Sequence, residues 1–155
     1  MAIKNNGASI DDLDKKIILA LQIDARRPYK DLAKKFEVSE GTIKNRVTRL
    51  TGRGILILEA RIDPFALGNQ IAAIVGVNLK DRNHEDKIKA IEKIKGVTSV
   101  WNATGRFDVF FEIMVDSLSE LNDVLFRKDL NEIGGITYTE TFVLLHSSTK
   151  YFKLF

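Results

Sequence analysis

The stretch VSEGTIKNRVTRLTGRG, residues 38 to 54, decides how the first third of the chain folds. Its aliphatic residues fall three and four positions apart, at Ile43, Val47 and Leu50. This spacing predicts a helix over residues 40 to 51 with one narrow buried stripe. The Ser39 hydroxyl can accept a backbone N–H at the start of that helix. The side of the helix opposite the stripe is small, polar and basic.

Two further helices are predicted before this stretch. In the first, apolar residues recur at helical spacing, at Ile10, Leu13, Ile17, Ala20 and Leu21. Pro28 ends that pattern, because proline is tolerated in a first helical turn but not inside a helix. A second, short helix is predicted over residues 29 to 36, and Val38-Ser39 forms the tight turn before the third. This order is typical of a helix-turn-helix domain.

The exposed side of the third helix carries side chains that can read DNA. A major groove about 12 Å wide admits one helix, whose first turns meet base edges. Candidates for base-edge contacts are Gly41, Thr42, Lys44, Asn45 and Thr48. Candidates for neutralising phosphates are Lys34, Lys35, Arg46, Arg49 and Arg53. The alternative is a plain three-helix bundle, in which these groups only solvate the surface.

Charge is unevenly distributed along the chain, which has a formal net charge of +3. Residues 1 to 62 carry thirteen Lys and Arg against eight Asp and Glu, whereas residues 63 to 155 carry eleven against thirteen. The excess is densest between residues 26 and 53, with nine cations against three anions. The asymmetry indicates an N-terminal part that meets phosphate and a C-terminal part with another task.

Length and composition exclude several classes of protein. The 155 residues allow one ordinary domain or two small ones, and 45% hydrophobic with 29% charged residues is globular composition. The polar start, residues 1 to 14, lacks a signal peptide's apolar region, so a cytoplasmic protein is expected. With no cysteine and two histidines, a disulfide framework, a thiol nucleophile and a Cys or multi-His zinc site are excluded. No cofactor is expected.

The remaining residues predict a second domain. Strands are predicted over residues 70 to 79, 97 to 103, 107 to 115 and 137 to 145, and helices over residues 84 to 95 and 117 to 130. The order βαββαβ is the ferredoxin-like arrangement, with both helices on one face of an antiparallel sheet. The predicted fold class is therefore α+β. The predicted domains are a helix-turn-helix (winged-helix-like) domain over residues 1 to 54, a linking strand and hinge over 55 to 68, and the βαββαβ module over 69 to 155.

Alternation along the third strand of this module predicts which face the helices cover. Phe107, Val109, Phe111, Ile113 and Val115 are predicted beneath the helices. Asp108, Phe110, Glu112 and Met114 are predicted on the opposite face. A face of such mixed polarity indicates a subunit interface, so at least a homodimer is expected. Two recognition helices about 34 Å apart then suit a pseudo-palindromic DNA site.

Taken together, the chain resembles the Lrp/AsnC family of feast-or-famine transcription regulators over residues 9 to 150. The resemblance is carried by short signatures in a fixed order: Leu13-Asp14 with Ile17 and Leu21, Asp31-Leu32-Ala33, Val38-Ser39, Arg46-Val47 with Leu50, Gly54-Ile55, Asp63-Pro64, Leu67-Gly68, Gly96-Val97 and Thr104-Gly105-Arg106-Phe107-Asp108. It implies a DNA-binding domain coupled to a module that binds an amino acid or related metabolite at subunit contacts, often in tetramers or octamers.

The resemblance also implies effector-binding residues. The family's turn of glycine, any residue, aromatic residue and aspartate matches residues 105 to 108, which gives Gly105 and Asp108 an effector role. A glycine turn offers N–H groups to a carboxylate, and an aspartate can accept from an α-ammonium group. By position, the remaining pocket residues correspond to Leu118, Asn131, Thr139, Thr141 and Phe142. Trp101 and Arg106 are additional candidates.

Two other functions share the βαββαβ topology. An RNA-binding RRM domain presents sheet aromatics flanked by basic residues, but Asp108 and Glu112 are predicted on the open face here and repel phosphate. A small acyl-phosphate hydrolase needs a phosphate-binding loop with a guanidinium, and only Arg106 is suitably placed. Neither His84 nor His146 belongs to a recognisable acid, base or nucleophile arrangement, so an enzyme is not expected.

Overall fold

The computed structural model describes residues 10 to 80, 84 to 148 and 150 to 153. The predicted lack of a signal peptide concerns residues 1 to 14, of which residues 1 to 9 lie outside the described residues. The chain divides into two compact units, Met1–Glu59 and Ala60–Phe155. The division falls inside the segment predicted to link two domains.

The N-terminal unit contains the three predicted helices: α1, Asp12–Ile23; α2, Tyr29–Phe36; and α3, Glu40–Gly52. Their apolar stripes meet in one core, where Ile17, Leu32 and Ile43 are fully buried. Each such side chain contributes about 1.5 to 3 kcal/mol by leaving water. Glu37 ends α2 in the left-handed region, with φ of 55°, which makes the turn before α3 tight.

The C-terminal unit has the predicted order of strands and helices. It contains β1, Ile71–Leu79; α4, Glu85–Ile91; β2, Val97–Asn102; β3, Val109–Val115; α5, Leu118–Asn122; α6, Asp129–Ile133; and β4, Ile136–Val143. The sheet has the order β2-β3-β1-β4, and every neighbouring pair is antiparallel. The predicted ferredoxin-like fold and α+β class are confirmed.

The second helix of this unit differs from the prediction. Instead of one helix over residues 117 to 130, α5 continues into a π-helical turn, Asp123–Arg127, and α6 follows. The Lys128 N–H donates to the Asp123 carbonyl, and Lys128 itself leaves the helical backbone with φ of −132° and ψ of −86°. The sequence contains no proline or glycine at this break, so periodicity alone predicts a continuous helix.

The face of the sheet beneath the helices has the predicted composition, with one correction. Val109, Phe111, Ile113 and Val115 pack with residues of α4 and α5 in the main core. Phe107 was predicted with them, and that prediction is wrong. It precedes β3, in a turn where the alternation of a strand does not apply. Its ring lies over Gly76 on the face of the sheet opposite the helices, which we call the open face.

Four aromatic rings lie side by side on the open face, and we call them the aromatic row: Trp101, Phe110, Phe107 and Tyr138. Trp101 stacks on Phe110 with 5.9 Å between ring centroids. Phe107 contacts Phe110 edge-on at 5.4 Å and stacks on Tyr138 at 6.1 Å. Because Gly76 of β1 has no side chain, Phe107 fills its place. The aromatic row thus crosses all four strands.

The end of the chain covers another part of the open face. Phe152 is fully buried and packs with Ala72 and Met114. Lys150 forms an ion pair with Glu112, a carboxylate that is only 4% exposed. The chain therefore covers one part of this sheet face itself, while the rings of Trp101 and Tyr138 stay exposed.

The linking strand predicted within residues 55 to 68 is wrong for a single chain, because no strand forms there. Residues 55 to 61 belong to no strand in the described structure, and Ile62 forms an isolated bridge with Phe152. A strand requires a partner strand, and β-branched composition alone does not provide one. The predicted turn that follows is present as a 3-10 turn, Pro64–Leu67, which the Asp63 side chain caps.

Candidate DNA-binding helix and effector cleft

The polar side of α3 is accessible to a partner. Gly41, Lys44, Asn45 and Thr48 are exposed, and Thr42 is half-buried. The opposite side buries Ile43, Val47 and Leu50 in the core. All five candidates for base-edge contacts therefore lie on or beside one free helical surface.

The N-terminal end of α3, which would enter a groove first, is held by its cap. The Ser39 hydroxyl accepts from the Thr42 backbone N–H at 3.0 Å and lies 2.8 Å from the Thr42 hydroxyl. An N-cap of this kind contributes about 1 kcal/mol to helix stability. The first turn of α3 is thus defined by the residues that the sequence predicted.

Two candidates for phosphate contacts, Arg46 and Arg49, form ion pairs within the unit. Arg46 Nη1 donates to Asp14 Oδ1 at 3.0 Å, and Arg49 Nη2 donates to Asp14 Oδ2. The Arg46 guanidinium also donates to Asp11, whose pKa it holds below the ordinary value, with the Asp14 backbone N–H adding to the effect. The same contacts raise the pKa of Arg46.

No local pattern in the sequence predicts these contacts. Asp14 precedes Arg46 by 32 residues. In the sequence, Asp11 and Asp14 can be recognised only as favourable charges at the N-terminus of a helix. In the structure they form a capping box, in which Asp11 Oδ1 accepts from the Asp14 N–H at 2.8 Å. Asp14 is nevertheless fully buried.

The other candidates for phosphate contacts lie on exposed positions. Lys34 and Lys35 belong to the last turn of α2, and the Lys35 ammonium lies 5.6 Å from the centroid of the Phe36 ring. Arg53 follows α3 directly, and its backbone N–H donates to the carbonyl of Arg49. These three side chains remain candidates for phosphate binding.

In the C-terminal unit, a cleft of about 360 Å³ opens beside α6 and the start of β4. Two predicted effector residues, Asn131 and Thr139, line it. The Asn131 amide donates to the Phe126 carbonyl at 2.6 Å, so its position is fixed. The other residues of the lining were not predicted from the sequence: Leu125, Phe126, Leu130, Gly134, Gly135, Ile136, Thr137 and Tyr138.

The turn over residues 105 to 108 lies at another place. Asp108 Oδ2 accepts from the Leu79 backbone N–H at 2.8 Å, which ties the turn to the end of β1. Gly105 has φ of +127°, and a Cβ there would meet nothing within 4 Å. Arg106 Nη2 lies 3.2 Å from Glu140 Oε2. None of these turn residues lines the cleft.

The remaining predicted effector residues are dispersed. Thr141 lies opposite Val75, and Phe142 lies opposite Ile74 on the open face. Leu118 is exposed at the start of α5, and Trp101 belongs to the aromatic row. Of the predicted effector residues, Asn131 and Thr139 line the cleft beside α6.

The described ranges contain no group of three or more His, Asp or Glu side chains that could hold a metal ion. No helix in those ranges has the length and apolar character needed to cross a bilayer.

A capped, exposed helix after a tight turn, together with a ferredoxin-like unit, defines a two-domain helix-turn-helix protein. Residues 10–51 match the AsnC-type helix-turn-helix domain, and residues 72–153 match the Lrp/AsnC ligand binding domain. The regulatory protein AsnC of Haemophilus influenzae is 36% identical over 141 residues, which cover 90% of this chain and 93% of that protein.

Solved structures show the same relationship. The structure of Escherichia coli AsnC has a TM-score of 0.68 at 35% identity, with 92% of this chain and 97% of that chain covered. A feast or famine regulatory protein from M. tuberculosis, complexed with L-methionine, has a TM-score of 0.73 at 27% identity, with 92% and 96% covered.

The chain belongs to the Lrp/AsnC family of transcriptional regulators, as its sequence predicted. It has a helix-turn-helix DNA-binding domain and a ligand-binding domain. The expectation that it is not an enzyme is confirmed, because its relatives are named as regulators. The match over residues 72–153 is to a ligand-binding domain, which supports neither the RRM-like nor the hydrolase alternative.

Proposed function

We propose that the chain reads specific sites in double-stranded DNA by laying α3 in the major groove. The accessible polar side of α3 is the observation that carries this proposal. Lys44, Asn45 and Thr48 would meet base edges together with Gly41 and Thr42, and the amide of Asn45 is a group that can contact adenine bidentately. The protein would act in the cytoplasm, where its DNA target is found.

Phosphate binding is assigned to the exposed cations that flank this surface. Lys34 and Lys35 at the end of α2 and Arg53 after α3 are the main contacts. Arg46 and Arg49 are not among these main contacts, because carboxylates of the same domain hold them in the free protein.

We further propose that two copies of the chain associate through the open face of the sheet. The aromatic row leaves Trp101 and Tyr138 exposed there, and Phe142 is exposed on the same face. Exposed aromatic side chains grouped on one face are typical of protein interfaces. Such a homodimer would present two recognition helices to a pseudo-palindromic site, and dimers would assemble further into a tetramer or octamer.

The proposed effector is an amino acid or a related metabolite. The cleft beside α6 offers the Asn131 amide and the Thr139 hydroxyl, and the turn over residues 105 to 108 offers the Asp108 carboxylate for an α-ammonium group. The M. tuberculosis relative complexed with L-methionine supports this ligand class. Since the turn does not line the cleft in one chain, the site would be completed where copies meet.

The test of DNA reading is footprinting of the purified protein across genomic DNA, followed by binding to one selected duplex and to a scrambled duplex. Asn45→Ala should reduce the preference for the selected duplex by about 1 to 3 kcal/mol. Lys35→Ala should weaken both duplexes and flatten the salt slope by about one unit. Lys89→Ala, on α4 of the other domain, is the matched control. Equal binding of every duplex by the unmutated protein would refute the proposal.

The test of effector binding is a thermal-shift screen with each of the twenty amino acids. One of them should raise the unfolding temperature or change the assembly, and Asp108→Ala should abolish that response while DNA binding remains. Thr139→Val removes a hydroxyl at nearly constant shape, and it should weaken the response to the amino acid. The absence of any response in the unmutated protein would refute an amino-acid effector.

A further inference from the structure

Asp14 is a charged side chain with no exposure to water, located in the core of the helix-turn-helix domain. A buried carboxylate is stable only when cations or hydrogen-bond donors compensate its charge. Both of its cations come from α3: Arg46 binds one carboxylate oxygen and Arg49 binds the other, which also accepts from the Asp11 backbone N–H at 3.3 Å. Since these arginines are three positions apart on one helix, Asp14 contacts α3 at two successive turns.

This arrangement restricts what the two arginines can do when DNA binds. If both moved to phosphates, Asp14 would be left buried without a cation, and breaking a buried pair in this way is strongly unfavourable. Asp11 adds a second carboxylate to Arg46, whose side chain is only 26% exposed. Two of the nine cations between residues 26 and 53 are thus compensated inside the domain.

We infer that Asp14 is a specificity-determining residue, which positions α3 and holds Arg46 and Arg49 away from the DNA backbone. The inference rests on the proposed reading of DNA by α3. Phosphate contacts increase affinity for every sequence alike, whereas base-edge contacts distinguish sequences. By keeping two arginines from phosphates, Asp14 lowers binding to non-specific DNA and leaves base contacts to decide where the protein binds.

The central variant is Asp14→Asn, which keeps the shape of the side chain and removes its charge. Freed arginines should reach phosphates, so affinity for scrambled DNA should rise and the salt slope should steepen by about one to two units. The ratio of specific to non-specific affinity should fall at least about tenfold.

Asp12→Asn is the matched control. It removes the same charge from the same helix, but Asp12 is exposed and pairs only at the surface, with Lys15 at 3.3 Å. Any general effect of one less negative charge near DNA should appear equally in both variants. If Asp14→Asn changes the salt slope and the affinity ratio no more than Asp12→Asn does, the inference is wrong.

A second variant decides the question if Asp14→Asn does not fold. Arg49→Gln leaves Asp14 paired with Arg46, and the inference predicts that the salt slope stays unchanged. A slope flatter by about one unit would show that Arg49 contacts phosphate, and would overturn the inference. A different failure, in which the unmutated protein does not distinguish duplexes at all, would instead refute the proposed reading of DNA.

Discussion

The ring of Phe107 lies directly over Gly76, so that a Cβ atom at residue 76 would be 2.7 Å from ring atoms Cγ and Cδ2. Cβ atoms in proteins essentially never lie so close to another heavy atom. The ring cannot easily move aside, because it is held between Phe110 and Tyr138. Gly76 is therefore needed for the packing of the open face.

Gly76→Ala should destabilise the C-terminal domain by about 1 to 3 kcal/mol, because the added methyl overpacks the aromatic row. Denaturant unfolding followed through the amide signals of β1 measures the change. The double variant Gly76→Ala with Phe107→Leu should recover part of the loss, since the smaller side chain relieves the clash. An unfolding midpoint equal to that of the unmutated protein would contradict this packing.

Lys150→Met should leave the Glu112 carboxylate buried without its cation. We expect the free energy of unfolding to fall by about 1 to 3 kcal/mol. The fall should be smaller than for a fully buried pair, because the Lys150 side chain is 38% exposed. Adding Glu112→Gln should restore most of the stability by removing the buried charge. Lys93→Met, at an exposed position of the same domain, serves as control. Denaturant unfolding compares these three variants with the unmutated protein. Equal effects of Lys150→Met and Lys93→Met would contradict the stabilising role of the ion pair.

The pKa of Asp11 predicts how the N-terminal domain responds to acid. The folded-state pKa lies below the ordinary value of about 3.9, because the Asp11 carboxylate contacts Arg46. The contact therefore contributes its full stabilisation above that pH. The contribution is lost as the pH falls from there through the folded pKa. Arg46→Met should raise the pKa of Asp11 toward its ordinary value, and carbon-detected NMR titration of the carboxyl measures it. An unchanged pKa in that variant would show that Arg46 is not the cause.

Phe142→Glu should weaken self-association at least about tenfold, because it places an unpaired charge on the open sheet face. Phe142 is 46% exposed there. Leu145→Glu introduces the same charge at a residue beyond the end of β4 that is 90% exposed, and should change association little. Sedimentation over a range of concentrations compares the two variants. Equal effects would refute the open face as the interface.

Local patterns in the sequence predicted the elements of both domains because each element depends mainly on its own residues. The stripe of Ile43, Val47 and Leu50 and the cap at Ser39 define α3 without reference to the rest of the chain. Alternation over residues 109 to 115 similarly defines the covered face of β3.

The errors arose where a residue depends on a distant partner. The burial of Asp14 requires Arg46 and Arg49, more than thirty positions away, and no local pattern contains that contact. Phe107 reaches the open face because Gly76, on another strand, leaves room for its ring. Residues 55 to 61 have strand-like composition, but the described chain offers them no strand to pair with.

The residues that line the cleft could be predicted only in part for a similar reason. Asn131 and Thr139 meet in the cleft because α6 directly precedes β4. Gly105 and Asp108 belong to the turn between β2 and β3, which is hydrogen-bonded to the end of β1, and a single chain does not bring that turn into the cleft lining.

Trp101, the only tryptophan of the chain, lies in the aromatic row with 37% of its surface exposed. Indole emission moves to shorter wavelength when water is displaced from the ring. Docking of a second copy on the aromatic row would therefore appear as a blue shift of the intrinsic fluorescence. The protein thus carries an internal optical reporter, and its assembly can be followed at low concentration without a dye or a tag.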